Sequence, residues 1–210
     1  MSRHSRTSRR RAGLTLVELL LALASTGLIA AAVAALMVSV SYGSSSRNDL
    51  RSLVVKSKTL TGRLNSTLRG AAAVLDLDTD SQALLLWTGD TRSDALPNIS
   101  ELKLLELDAD TGTVRCYSPN LPTNLSDEQL EAQDLSYALD SNFNTIAQTL
   151  KSNGSLAPAA WATGVRQWQF TLNTAAAADA SLVSFRITLT NGHLTNEVIG
   201  AAALRNRIAD

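Results

Sequence analysis

One cysteine and two histidines in 210 residues leave little material for thiol or metal chemistry. Cys116 has no partner for an internal disulfide, so cysteine usage assigns no redox compartment. As a lone thiol it is expected to be a partly buried small apolar residue. His4 lies among arginines near the start, and His193 stands beside a hairpin signal, where an exposed strand residue is expected. Neither has a neighbouring Cys or His at the spacing of a zinc site. There is no G-x-S-x-G elbow and no glycine-rich phosphate loop, which removes two common sequence signs of catalysis. No cofactor is expected, no metal, and no catalytic residue.

Net charge is missing too, since 19 Lys and Arg balance 19 Asp and Glu. The balance is uneven along the chain. Arg3, Arg6, Arg9, Arg10 and Arg11 all precede Gly13, and without them 14 basic residues face 19 acidic ones. A mildly acidic remainder gives no electrostatic ground for nucleic-acid binding, and none is expected.

What the chain does have is a long apolar run. From Leu14 to Val40 every residue is apolar or small except Ser, Thr and one ionisable group, Glu18. About 20 such residues suffice to cross a bilayer as a helix, and Leu and Ala, which dominate here, are strong helix formers. Arginines precede the run and the next follows only at Arg47. The positive-inside rule therefore puts residues 1–13 in the cytoplasm and the C-terminal part outside.

Glu18 does not fit a plain anchor. A charged residue at the centre of a membrane helix costs roughly 2.5–3.5 kcal/mol on insertion scales, and less near its end. A secretory signal would explain the basic leader, with small-residue cleavage sites around Ala30–Ala35. Its apolar core is normally only about 7–15 residues, however, and lacks a Glu. A twin-arginine signal could use Arg9 and Arg10 but finds no further support. A cut after Gly13 resolves the difficulty. Leu14 would then carry a free amine, with a reference pKa of about 7.7–8.0, one helical turn from Glu18. Two unit charges about 4 Å apart attract by about 4 kcal/mol at an effective dielectric near 20. The helix macrodipole also favours a carboxylate in the first turn.

The basic leader, Gly13 and then Leu14-Thr15-Leu16-Val17-Glu18-Leu19-Leu20 resemble the processing signal of type IV prepilins and type II secretion pseudopilins. The resemblance implies cleavage by a prepilin peptidase after Gly13, N-methylation of Leu14, and Glu18 as the carboxylate that meets the amine of an adjacent subunit during assembly. The implied partners are that peptidase, the inner membrane, and other pilins or pseudopilins through the N-terminal helix. Two departures stand out: Leu14 occupies a place most often held by Phe, and the apolar run lacks the proline usual in major pilins. The segments "LTGRLNSTLRGA", "GVRQWQFTL" and "ALRN" resemble the J-type minor pseudopilins and W-type minor pilins.

Downstream, "SYGSSSRNDL" is polar. Helical spacing then resumes through Leu50, Leu53, Val54, Ser57, Leu60, Leu64, Leu68, Ala71 and Leu75, with Arg51, Lys56, Lys58, Arg63 and Arg69 on other faces. The expected division is a cleaved leader at 1–13, a membrane and assembly helix at 14–40, an amphipathic continuation at 41–75, and a globular periplasmic domain at 76–210. Strands are expected at 83–88, 101–107, 113–117, 165–172, 182–190 and 193–201. Asn191-Gly192 marks a hairpin, and helices are expected at 126–139, where Ser-Asp-Glu-Gln looks like a cap, and at 142–150. "NTAAAADAS" reads as a loop. The fold class is α+β, with a long N-terminal helix packed on an antiparallel sheet.

Three remaining features have modest explanations. Asp76-x-Asp78-x-Asp80 resembles the start of a calcium loop, but Ser81 and Trp87 stand where Gly and Glu belong. A solvated turn between helix and strand is expected instead. Asp108 and Asp110 are turn residues ahead of Gly112. Trp161 and Trp168 are expected in a sheet core. The chain thus reads as a filament subunit. A signal-anchored periplasmic binding module and an anchored enzyme with a polar cleft are the alternatives.

Overall fold

The computed structural model describes residues 15–122 and 126–205. It is an α+β structure with a long N-terminal helix, α1 (Leu16–Gly70), and two antiparallel sheets. The chain divides into two compact units, one ending at Asn48 and one beginning at Asp49.

In the first unit α1 is long and apolar enough to cross a membrane. Its large apolar side chains, among them Leu20, Ile29, Leu36 and Val40, are all exposed. Two of its hydroxyls bond back within the helix: Ser25 donates to the Ala22 carbonyl at 3.0 Å and Thr26 to the same carbonyl at 2.8 Å. Such back-bonding lets polar side chains sit in an apolar segment.

In the second unit the remainder of α1 buries Leu53, Ser57, Leu60, Leu64 and Leu68, one stripe at spacings of three and four. Leu50 and Val54 fit the same sequence pattern but remain 53% and 39% exposed, so the packed stripe is narrower than the pattern suggested. The helix stops at Gly70, five residues before the expected end. The Ala72 N–H then donates to the Trp87 carbonyl at 2.7 Å, and Ala73–Asp78 forms strand β1, which the sequence reading had merged partly into the helix.

The first sheet is a meander of β1, β2 (Ala83–Trp87), β3 (Leu102–Asp108), β4 (Thr113–Pro119) and β5 (Leu156–Thr163). Both of its faces are covered. Leu84, Leu86, Leu105 and Val114 pack with the α1 stripe, while Leu85, Leu102 and Leu104 face α3 (Phe143–Ser152) through Phe143, Ala147 and Leu150. This two-sided burial is why β2 reads "ALLLW" without alternation. Each buried Leu contributes roughly 1.5–3 kcal/mol relative to exposure. Cys116 is 3% exposed, more deeply placed than expected, and burial pushes its thiol pKa up.

The second sheet is β6 (Val165–Leu172), β7 (Leu182–Asn191) and β8 (Leu194–Ala203). Val183, Phe185, Ile187 and Leu189 of β7 complete the core under α1. Gly200 of β8 lies beneath the Phe185 ring, whose Cζ would stand 2.4 Å from an added Cβ. The hairpin signal is displaced by one residue. Asn191 pairs with Leu194, leaving Gly192 (φ +58°) and His193 as the central pair, and a type II′ turn favours glycine first. His193 is therefore an exposed turn residue rather than a strand residue.

Two other segments differ from expectation. Helix α2 (Asp127–Gln133) has the anticipated cap, with reciprocal bonds between Ser126 and Gln129, but it ends well before 139. Strand β5 was not anticipated at all. The Ala-rich loop before β7 holds only a short 3-10 turn at Ala177–Asp179.

Candidate assembly site

The site indicated by the sequence is Gly13, Leu14 and Glu18. Gly13 and Leu14 lie outside the described residues, as does the leader; Glu18 is in the first turn of α1. Thr15 carries the first helical acceptor, its carbonyl receiving the Leu19 N–H at 3.1 Å. Glu18 Oε2 accepts from the Thr15 N–H and from Thr15 Oγ1, each at 3.0 Å, and the Glu18 N–H donates to Thr15 Oγ1 at 3.3 Å. This is a capping box, with Thr15 as N-cap and Glu18 three residues on. It satisfies two donors that a helix start otherwise leaves open. The box also holds the carboxylate at the helix start. Oε1 has no bond among the described residues.

The aspartates at 76, 78 and 80 were expected in a solvated turn between helix and strand. They belong to the β1–β2 hairpin, between two strands rather than between helix and strand. Asp78 accepts from the Asp80 N–H at 2.9 Å, from Ser81 Oγ at 2.8 Å and from Asn144 at 3.3 Å. The Ser81 hydroxyl and the Asp80 amide hold its pKa below the ordinary value, against a small opposing effect of burial. Among the described residues no group of three His, Cys, Asp or Glu side chains could hold a metal ion. Asp108 is also a turn acceptor, taking the Thr111 N–H at 3.3 Å and pairing with Arg115 at 2.8 Å. Trp168 is buried and meets Phe170 edge-on, with centroids 4.8 Å apart. Trp161 is only half-buried, packed on the margin of the same core.

A polar cluster that the sequence reading missed lies in the second unit. Glu101 is 1% exposed. Its carboxylate accepts from Trp87 Nε1 at 2.8 Å, from Thr91 Oγ1 at 2.6 Å, from the Thr91 N–H and from the Asn98 N–H at 3.3 Å. Burial alone would raise its pKa. The Thr91 hydroxyl, the Trp87 indole and the two amides outweigh burial and hold the pKa below the usual carboxylate value. Asp134, also buried, accepts from the Ser100 N–H at 2.8 Å and Ser100 Oγ at 2.7 Å. Together they tie the loop between β2 and β3 to the segment after α2. With all its acceptors engaged by the chain itself, the cluster is a structural clamp. Asn98-x-x-Glu101 matches a cap pattern, the one local signal that could have exposed it.

Among the described residues, shallow depressions of about 290 to 350 Å³ lie on the second unit, each lined by at most two titratable side chains. No protein family, no characterised protein and no solved structure matches this chain.

Proposed function

We propose that this chain is a minor pilin or pseudopilin, a structural subunit of a type II secretion pseudopilus or a type IV pilus-like filament. It enters the inner membrane with residues 1–13 in the cytoplasm and the second unit in the periplasm. Prepilin peptidase removes the leader after Gly13 and methylates the Leu14 amine. Apolar helices then bundle in the filament, and Glu18 of one subunit meets the terminal amine of another. The reaction belongs to the peptidase, and this chain is its substrate.

The observation that carries this reading is the lone carboxylate of a membrane-length apolar run, placed in the first helical turn behind a basic leader and a glycine. The capping box supports it, because it keeps Glu18 directed toward the helix start, where cleavage would create the amine. A charge at that end also complements the helix macrodipole. Two substitutions test the steps separately. Gly13→Ala is expected to leave full-length precursor in the membrane, and normal processing would count against the peptidase assignment. Glu18→Ala is expected to be processed normally yet to lose most crosslinking to neighbouring subunits; unchanged crosslinking would remove the charge-pairing role.

A further inference from the structure

Five cations stand on the part of α1 that belongs to the second unit: Arg51, Lys56, Lys58, Arg63 and Arg69. Between Asp49 and Asp76 the sequence has no acidic residue. A solvated helix face ordinarily interleaves Glu with Lys at spacings of three or four, which offsets repulsion between like charges. None of these five enters an ion pair among the described residues, whereas Arg92, Arg115, Lys151 and Arg186 elsewhere in the unit each hold a carboxylate. Arg63 reaches only the Trp161 carbonyl, at 3.4 Å.

Three of the cations share one line. Positions 51, 55, 58, 62, 65 and 69 recur at alternating spacings of four and three, and so lie along one side of a helix. They are Arg51, Val55, Lys58, Gly62, Asn65 and Arg69. This side is opposite the buried stripe of Leu53, Ser57, Leu60, Leu64 and Leu68. Asn65 is half-buried and the other five are exposed, Val55 by 56%. The seam is about 27 Å long at 1.5 Å per residue. Near its middle is Gly62, a residue type that weakens a helix interior relative to alanine. A Cβ added there meets no atom within 4 Å, so nothing in the fold of this chain asks for glycine at 62. What glycine does allow on an exposed helix face is the close approach of a second backbone. Thr59 and Ser66, small and exposed one turn to either side, keep that approach open.

We propose that the outer face of α1 between Arg51 and Arg69 docks an acidic helix of a different subunit, packed closest at Gly62 with its carboxylates on Arg51, Lys58 and Arg69. Charge complementarity picks this occupant. The same face of a second copy would set these cations against their own kind, and like charges juxtaposed across an interface repel. A lipid surface or a nucleic acid meets a unit that is acidic as a whole. Residues 49–205 carry 17 acidic and 12 basic residues, which gives no long-range attraction for a polyanion. A row at alternating spacings of four and three, with a glycine near its centre, fits a helix, whose side-chain ridges interlock with such a row. Val55 gives the contact an apolar anchor.

This proposal rests on the filament reading for the neighbour's being a subunit, and the experiment separates the two. A photoreactive benzophenone side chain replaces Ser66 in the full processed chain, in membranes that hold its assembly partners, and crosslinked peptides are identified by mass spectrometry. The expected partner peptide comes from another polypeptide and carries Asp or Glu at helical spacing. A crosslink to a second copy of this chain, to lipid, or to a segment without carboxylates overturns the proposal, and so does the absence of any crosslink. Arg51→Glu with Lys58→Glu reverses the charge of the face, and Gly62→Leu fills the close approach while favouring the helix. Each is expected to lower the yield at least about tenfold, equivalent to about 1.4 kcal/mol, in chains with unchanged tryptophan fluorescence. Lys58→Arg is expected to keep the yield. If the charge-reversed and Gly62→Leu chains crosslink and incorporate normally while Glu18→Ala does not, the filament reading stands and the docking face falls. If Glu18→Ala incorporates normally, the filament reading falls, and crosslinking at Ser66 still decides the face.

Discussion

Glu18 has two physical jobs available to it, and different substitutions separate them. As the third residue of a capping box it needs an acceptor, which Gln supplies as well as Glu. As the partner of an amine it needs a charge, which Gln lacks. Glu18→Gln is therefore expected to preserve the helix start yet weaken assembly as Glu18→Ala does. Thr15→Val, which removes the cap at a cost of roughly 0.5–2 kcal/mol, should fray the first turn and leave Glu18 charged. Crosslinking yields of the three variants, measured side by side, decide which job governs assembly; wild-type yield from Glu18→Gln would make Glu18 a cap and nothing more. Glu101 belongs to this scale as well. Its folded-state pKa lies below the unfolded one, so its stabilisation is complete above the ordinary glutamate range and is lost as pH falls through the folded value. Urea midpoints followed by tryptophan fluorescence should drop below about pH 4, and Glu101→Gln should flatten that acid limb. Glu18 was legible in the sequence because one carboxylate stands out in an apolar run. Glu101 was not, because its donors at Trp87 and Thr91 are brought to it by strand pairing.

Among the elements, legibility followed periodicity. β6 was placed to the residue, since "VRQWQFTL" alternates and is bounded by Gly164 and the Asn173 loop. β5 was missed because "LAPAAWAT" offers Ala and Pro, both poor strand formers. It forms by pairing with β4 along a register that no local pattern encodes. On α1 the positions of the buried leucines were readable, and the width of the stripe was not. Leu64→Ala is expected to cost about 2–5 kcal/mol in chemical denaturation, whereas Val55→Ala, on the exposed face, should stay within about 0.5 kcal/mol. Equal effects would mean the helix packs by another face. In β8, Gly200→Ala drives a methyl into the Phe185 ring and is expected to destabilise by about 1–3 kcal/mol. Ala201→Lys, at an exposed position of the same strand, should leave stability nearly unchanged.

At the scale of the whole molecule, charge and apolarity are arranged along the chain more than around a pocket. Arginines cluster at the start, an exposed apolar helix follows, and an α+β unit with a mildly acidic remainder completes the chain. The fold class was readable because the long helical pattern and the paired strand signals agree. The proposed assembly site was readable only as covalent chemistry, a place where a cut would create an amine. The most direct measurement is therefore the mass of the amino-terminal peptide of the chain isolated from membranes. The account predicts a peptide beginning at Leu14 with one added methyl group. A terminus near Ala32–Ala35, or an uncut chain that still assembles, would contradict it.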